Sequence, residues 1–138
     1  MLDGLAATGL RSIRYLKEVP GISTITINDL CKNATDAARD NFISNKVYDE
    51  KKVSIENKDA TMLMYENREP LKNFDVIDID PYGTAVPFLD AAVQVCINFH
   101  TCYLKQDILP PTNYLGGIRW WAIVRYLYGY DGPFRKFP

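Results

Sequence analysis

The chain has 138 residues, 47% of them hydrophobic and 24% charged, with 16 Lys and Arg against 17 Asp and Glu for a net charge of −1. That is ordinary globular composition at a length suited to one domain, and no apolar run reaches the roughly 18 residues a membrane helix needs. Three cysteines without a C-x-x-C pair and a single His100 argue against a disulfide scaffold, a Cys-rich zinc site and a His metal cluster, and suit a reducing intracellular compartment.

The opening residues, from Met1 to Arg11, read as a strand end, a small-residue loop and a helix start. Small residues let the backbone approach a ligand, and helix-start N–H groups favour an anion or carboxylate. The helix over Leu10 to Lys17 stops before Pro20 and Gly21. Thr24–Asn28 is short and β-branched, so it reads as a strand ending at Asp29. Cys31, Ala34, Ala38 and Phe42 recur at helical spacing. Lys52–Glu56 reads as a third strand, followed by Asp59 and Ala60 and by a short helix over Thr61–Arg68 that Pro70 ends. Phe74–Ile79 is the strongest strand pattern. Thr84 caps a helix from Ala85 to about Asn98, with Pro87 in its first turn. Alternating strands and helices at this spacing predict an α/β fold with a mostly parallel sheet. Sites in such sheets lie beyond the carboxyl ends of the strands, where the polar residues cluster.

Residues 1–95 carry a net charge of −4 and residues 96–138 a net charge of +3; 10 of the 17 aromatics fall in the second stretch. This division reads as a folded unit over 1–95 and an aromatic, basic tail over 96–138. Within the tail, 118–128 suits either a strand pair or a buried helix. Arg119–Trp121 and Arg125–Tyr128 mix cations with aromatics, as RNA-binding surfaces and protein cores both do.

Asp29 follows Gly9 by 20 residues at the end of the next strand, the place where an acid accepts ribose hydroxyls in nucleotide-binding βαβ folds. An ordinary helix N-cap at Asp29 would give the same local pattern. Asp59 ends the third strand, either facing an adenine amino group or as a solvated loop carboxylate. Asp80, Pro81, Tyr82 and Gly83 lie between a strand and a helix. A purine exocyclic amine is a poor nucleophile because its lone pair is delocalised into the ring. A carboxylate there accepts its N–H and turns the lone pair toward a methyl donor, and an aromatic ring stacks on the base. The rival is a turn that only reverses the chain. Asp78 stands two residues before Asp80 on the same side, and two close carboxylates push one pKa upward; alternatively Asp78 accepts bonds from a helix N-terminus.

With their order and spacing, Asp3–Tyr15, Asn28–Asp29, Asp59–Ala60, Leu63–Tyr65, Asp75–Gly83 and Pro87–Asp90 closely resemble the tRNA (guanine-26 N2)-dimethyltransferase family over about residues 1–94. The resemblance implies an incomplete Rossmann-like class I methyltransferase fold that uses S-adenosyl-L-methionine (SAM). It implies SAM binding by Asp3, Thr8, Gly9, Arg11, Asp29, Asp59 and Ala60. Asp80 would be the catalytic acceptor, with Pro81 and Tyr82 holding a flipped guanine. The implied partner is tRNA, without metal or membrane, in the nucleus, cytoplasm or mitochondrion of a eukaryote. The chain departs from the family's pattern after Gln94 and lacks most of the first strand, so it reads as a fragment of the catalytic domain. A catalytically dead binding module and an amino-methyltransferase with another substrate are the rival readings.

Overall fold

Short β-branched runs and small-residue loops build a parallel sheet in the computed structural model, which describes residues 1–69, 71–95 and the strand at 102–104. The strands are β1 (Leu2–Asp3), β2 (Ile25–Asn28), β3 (Val53–Glu56), β4 (Ile77–Ile79) and β5 (Cys102–Leu104). Their order is β3-β2-β1-β4-β5, and every pairing is parallel. The helices are α1 (Leu10–Glu18), α2 (Lys32–Ser44), α3 (Ala60–Glu66) and α4 (Val86–Val95).

The period-2 alternation of β1 to β4 sends their side chains to two cores. On one face Leu2, Ile77 and Ile79 pack with Leu63 and Met64 of α3 and with Ala91, Ala92 and Val95 of α4. On the other, Ile25, Ile27 and Val53 pack with Ile13 of α1 and with Ala38 and Phe42 of α2. Phe42 is fully buried. Gly9 sits against it: an added Cβ would stand 3.0 Å from the Phe42 ring and 3.1 Å from Ala38 Cβ, at a φ of +71° that side chains rarely adopt.

Several elements differ at their ends from the expected ones: β2 and β3 begin one residue late, at Ile25 and Val53, and α1 runs on to Glu18. The strand at 74–79 shortens to Ile77–Ile79. Its partner β1 pairs over Leu2 and Asp3 only, although the Leu2 N–H still donates to the Val76 carbonyl at 2.8 Å. The apolar stripe of α2 starts at Thr35, not Cys31, because Cys31 is the N-cap with extended backbone and lies outside the helical register. Helix α3 starts at Ala60, one residue early, because the Asp59 carboxylate caps it by accepting the Met62 N–H at 3.0 Å. Helix α4 starts at Val86, one residue later than expected, so Thr84 stands one residue before the cap position, from which its hydroxyl still accepts the Val86 N–H at 3.2 Å. Pro70, the expected continuation of the last helix to about residue 98, His100, the segment at 118–128 and the aromatic–basic pairs of the tail lie outside the described residues. Among the described residues no helix is long and apolar enough to cross a membrane.

Candidate active site

Parallel strands deliver their carboxyl ends to one edge of the sheet, so the segments after β1, β2, β3 and β4 converge there. Asn28 ties three of these ends together. Its buried amide nitrogen donates to the carbonyls of Gly4 and Lys58, each at 3.0 Å, and its oxygen accepts the Lys58 N–H at 3.0 Å. Gly4 is the close approach on the other side, since an added Cβ would lie 2.5 Å from Ile79 Cδ1.

Asp29 holds the loop that follows β1. One carboxylate oxygen accepts the Ala7 N–H and the other the Cys31 N–H, both at 2.9 Å. Its carboxylate therefore braces the start of α2 from two residues before the cap and also reaches the neighbouring loop, which an N-cap alone does not require. Thr8 is exposed, and its carbonyl accepts from the Asn41 amide at 2.9 Å. Asp59 is exposed and Ala60 buried beneath it. Large apolar side chains stand exposed at every one of these junctions: Leu10, Leu30, Met62, Tyr82 and Val86.

The charged part of the site follows from strand register. Asp3 pairs with Asp78 in the adjacent strand, which puts two carboxylates side by side on the α1 face of the sheet. Arg11, in the first turn of α1, reaches both. Its Nη2 donates to Asp3 at 2.5 Å, its Nη1 donates to Asp80 at 2.6 Å, and its Nε stands 2.9 Å from Asp78 Oδ2. Ser12 donates to the second oxygen of Asp3 at 2.5 Å, and Tyr15 donates to Asp78 Oδ2 at 2.7 Å. Asp3 is fully buried with both oxygens engaged by the chain itself, and it anchors Arg11 from behind the loop.

Asp78 and Asp80 do share a side, and the Asp78 carboxyl is raised above its ordinary value. The main cause is burial; the Tyr15 hydroxyl and Arg11 oppose it, and Asp3 and Asp80 add to it. The neighbouring carboxylate does push in the expected direction, behind burial as the main cause. Among the described residues no helix N-terminus serves Asp78: its partners there are the side chains of Tyr15 and Arg11. Burial and the bond to Asp78 push the Tyr15 phenol upward, so it stays a donor. Pro81 is half-buried and Tyr82 fully exposed beside this cluster. Among the described residues no group of three or more His, Cys, Asp or Glu could hold a metal ion.

Sequence reasoning gave no role to Asn28, Ser12 or Tyr15, nor, apart from Tyr82, to the exposed apolar residues at the junctions. An amide closing a β-branched strand was the available signal for Asn28, and the helical spacing of four between Arg11 and Tyr15 was the signal for Tyr15. A separate groove of about 350 Å³ opens between β2–β3 and α3, lined by Ser54, Glu56, Lys58 and Glu66 among others.

Residues 1–103 match the family model described as N2,N2-dimethylguanosine tRNA methyltransferase. Among curated relatives, the tRNA (guanine(26)-N(2))-dimethyltransferase of Homo sapiens is 49% identical over 94 residues, covering 68% of this chain and 14% of the relative. The Schizosaccharomyces pombe protein of the same name is 50% identical over 95 residues, covering 68% of this chain and 16% of the relative. A Saccharomyces cerevisiae relative, described as mitochondrial, is 44% identical over 94 residues, 68% of this chain and 16% of its own length. The chain therefore spans about a sixth of the length of these relatives. The solved structure of Trm1 from Pyrococcus horikoshii with S-adenosyl-L-methionine superposes with a TM-score of 0.68 at 28% identity, covering 76% of this chain and 30% of that one. A methylase structure from Haemophilus influenzae, at 20% identity and a TM-score of 0.60, shares the fold; the match covers 81% of this chain and 71% of that one.

Proposed function

Because the chain belongs to the N2,N2-dimethylguanosine tRNA methyltransferase family, we propose that it forms the cofactor- and base-binding part of an enzyme that methylates N2 of guanine 26 in tRNA, with SAM as donor. One observation carries this reading: the stretch running from the loop after β1 into the first turn of α1 is bonded to Asp29 through Ala7 and to Asp80 through Arg11. A single short stretch of chain thus joins the carboxylate suited to a ribose and the carboxylate suited to an amine.

The residues fit the cofactor. Each Asp29 oxygen accepts one backbone N–H and keeps a lone pair for a ribose hydroxyl. Gly4 and Gly9 keep the loop close to the sheet and to α2. Asp59 and Ala60 would face the adenine amino edge, and exposed Leu30 offers an apolar surface to the ring. Asp3 and Arg11 support the site from beneath, and Thr8 presents backbone to it. When bound, SAM supplies an electrophilic methyl group on a positively charged sulfur.

The chain's own part is binding, orientation and proton acceptance. Asp80 accepts an N–H of the exocyclic amine, turns its lone pair outward and takes the proton that the amine loses. Pro81 and the exposed ring of Tyr82 receive the guanine once it has left its stack, at a cost of a few kcal/mol. In a eukaryotic cell, a tRNA substrate suits work in the nucleus, cytoplasm or mitochondrion.

Two measurements on the purified chain test this. Calorimetric titration should detect SAM binding, and mass spectrometry of tRNA after incubation with SAM should show methylated guanine at position 26. Binding without turnover would support a binding module, and absence of both would overturn the proposal.

A further inference from the structure

Arg11 faces three carboxylates, yet its Nε is a buried donor with no hydrogen-bond partner among the described residues. The unmet donor is not far from an acceptor: Asp78 Oδ2 stands 2.9 Å away. Distance is satisfied and alignment is not. The same Asp78 oxygen accepts the Tyr15 hydroxyl at 2.7 Å. Tyr15 lies one helical turn beyond Arg11 on α1, so the two side chains reach the same acceptor from adjacent positions.

We propose that Tyr15 is a positioning residue for Asp80: by holding the Asp78 carboxylate out of line with Arg11 Nε, its hydroxyl leaves the guanidinium fork to Asp3 and Asp80. The inference rests on the proposed role of Asp80 as the amine acceptor. Its geometric part stands independently of any ligand. Nη2 is fixed on buried Asp3, and Ser12 fixes Asp3 in turn. With that end pinned, the orientation of the guanidinium decides whether Nη1 meets Asp80. An Asp78 carboxylate free to rotate would compete for the same cation, and a charged hydrogen bond is a strong competitor. A buried donor left unpaired is costly, so the native arrangement accepts a local loss to keep Arg11 on Asp80.

The test is Tyr15→Phe, which keeps the ring and removes the hydroxyl. In the 138-residue chain, the 15N–1H signal of Arg11 Nε should move downfield and its solvent exchange should slow about tenfold, as a new bond to Asp78 forms. Methyl transfer at saturating SAM should fall about tenfold while SAM affinity is unchanged, because the acceptor is misplaced and the donor site is not. Asp78→Asn in the Tyr15→Phe background removes the competing charge and should restore the rate, a non-additive result. An Arg11 Nε signal identical in wild type and Tyr15→Phe overturns the inference; so does a double variant no faster than the single one. Should Tyr15→Phe fail to fold, Asp78→Asn alone decides: Arg11 Nη1 must keep its bond to Asp80, seen as an unchanged Nη1 signal, and its loss overturns the inference. Failure of the wild-type chain to bind SAM would instead strike the proposed function and leave the Arg11 readout intact.

Discussion

The N–H of Ala7 is held by the Asp29 carboxylate at 2.9 Å, and Ala7 carries a φ of +48°, in the left-handed region that residues with a Cβ rarely occupy. The acid at the end of β2 thus stabilises an unfavourable bend in the loop after β1. Asp29→Ala removes this tie and the bond to Cys31 together. SAM affinity is expected to fall about 10- to 100-fold, the loss of one or two bonds to a charged acceptor, measured by calorimetric titration.

Ala7→Gly separates the bend from the ligand. Glycine takes positive φ without strain, which offsets its greater freedom in the unfolded chain. Urea denaturation should therefore show a stability within about 1 kcal/mol of the wild type, with SAM binding retained.

Gly9→Ala should behave in the opposite way. The added methyl meets Phe42 at 3.0 Å and Ala38 at 3.1 Å, and the backbone is at +71°. Left-handed strain and crowding together should destabilise by about 2–3 kcal/mol, read as a lower urea midpoint at unchanged slope.

Asp80→Asn keeps the size of the acceptor and removes its ability to take a proton. Methyl transfer should drop by about 10²–10⁴ while SAM binding persists. A rate near that of the wild type would move the proton acceptor elsewhere.

Asp78 makes stability depend on pH. Its folded pKa is raised above 3.8, so the folded state holds the proton more tightly than the unfolded chain does. The favourable contribution is fully present in acid and is lost as pH rises from about 3.8 through the raised value. Asp78→Asn removes that slope. Denaturation at pH 4 and pH 7 should therefore show wild type losing stability relative to the variant as pH rises.

Much of the α/β order was legible because strands and helices advertise themselves locally: β-branched runs for β2 and β3, a 3.6-residue stripe for α2, a threonine cap for α4. The segment ends bearing Asp29, Asp59 and Asp80 followed from the rule for parallel sheets. The Arg11 cluster was not legible in the same way. That Asp3 lies beside Asp78 depends on the register between strands 75 residues apart in sequence, and register is not written in either strand alone. Arg11 pairs with Asp3, Asp78 and Asp80, and nothing near position 11 announces three carboxylates. Asn28 likewise becomes a three-way tie only once β1, β2 and β3 are adjacent.

Asp3 occupies the central strand, at a buried place where its neighbour in β2 is Ile27. Buried ion pairs are often replaced by apolar residues at no loss of stability, and sometimes with a gain. Changing Asp3 alone is the opposite case, because it leaves the Arg11 guanidinium and the buried Ser12 hydroxyl without their acceptor, a strongly destabilising loss. A library screened only for soluble, heat-resistant protein would therefore admit leucine or valine at position 3 only together with apolar replacements at positions 11 and 12, so the three codons would change as a set or not at all.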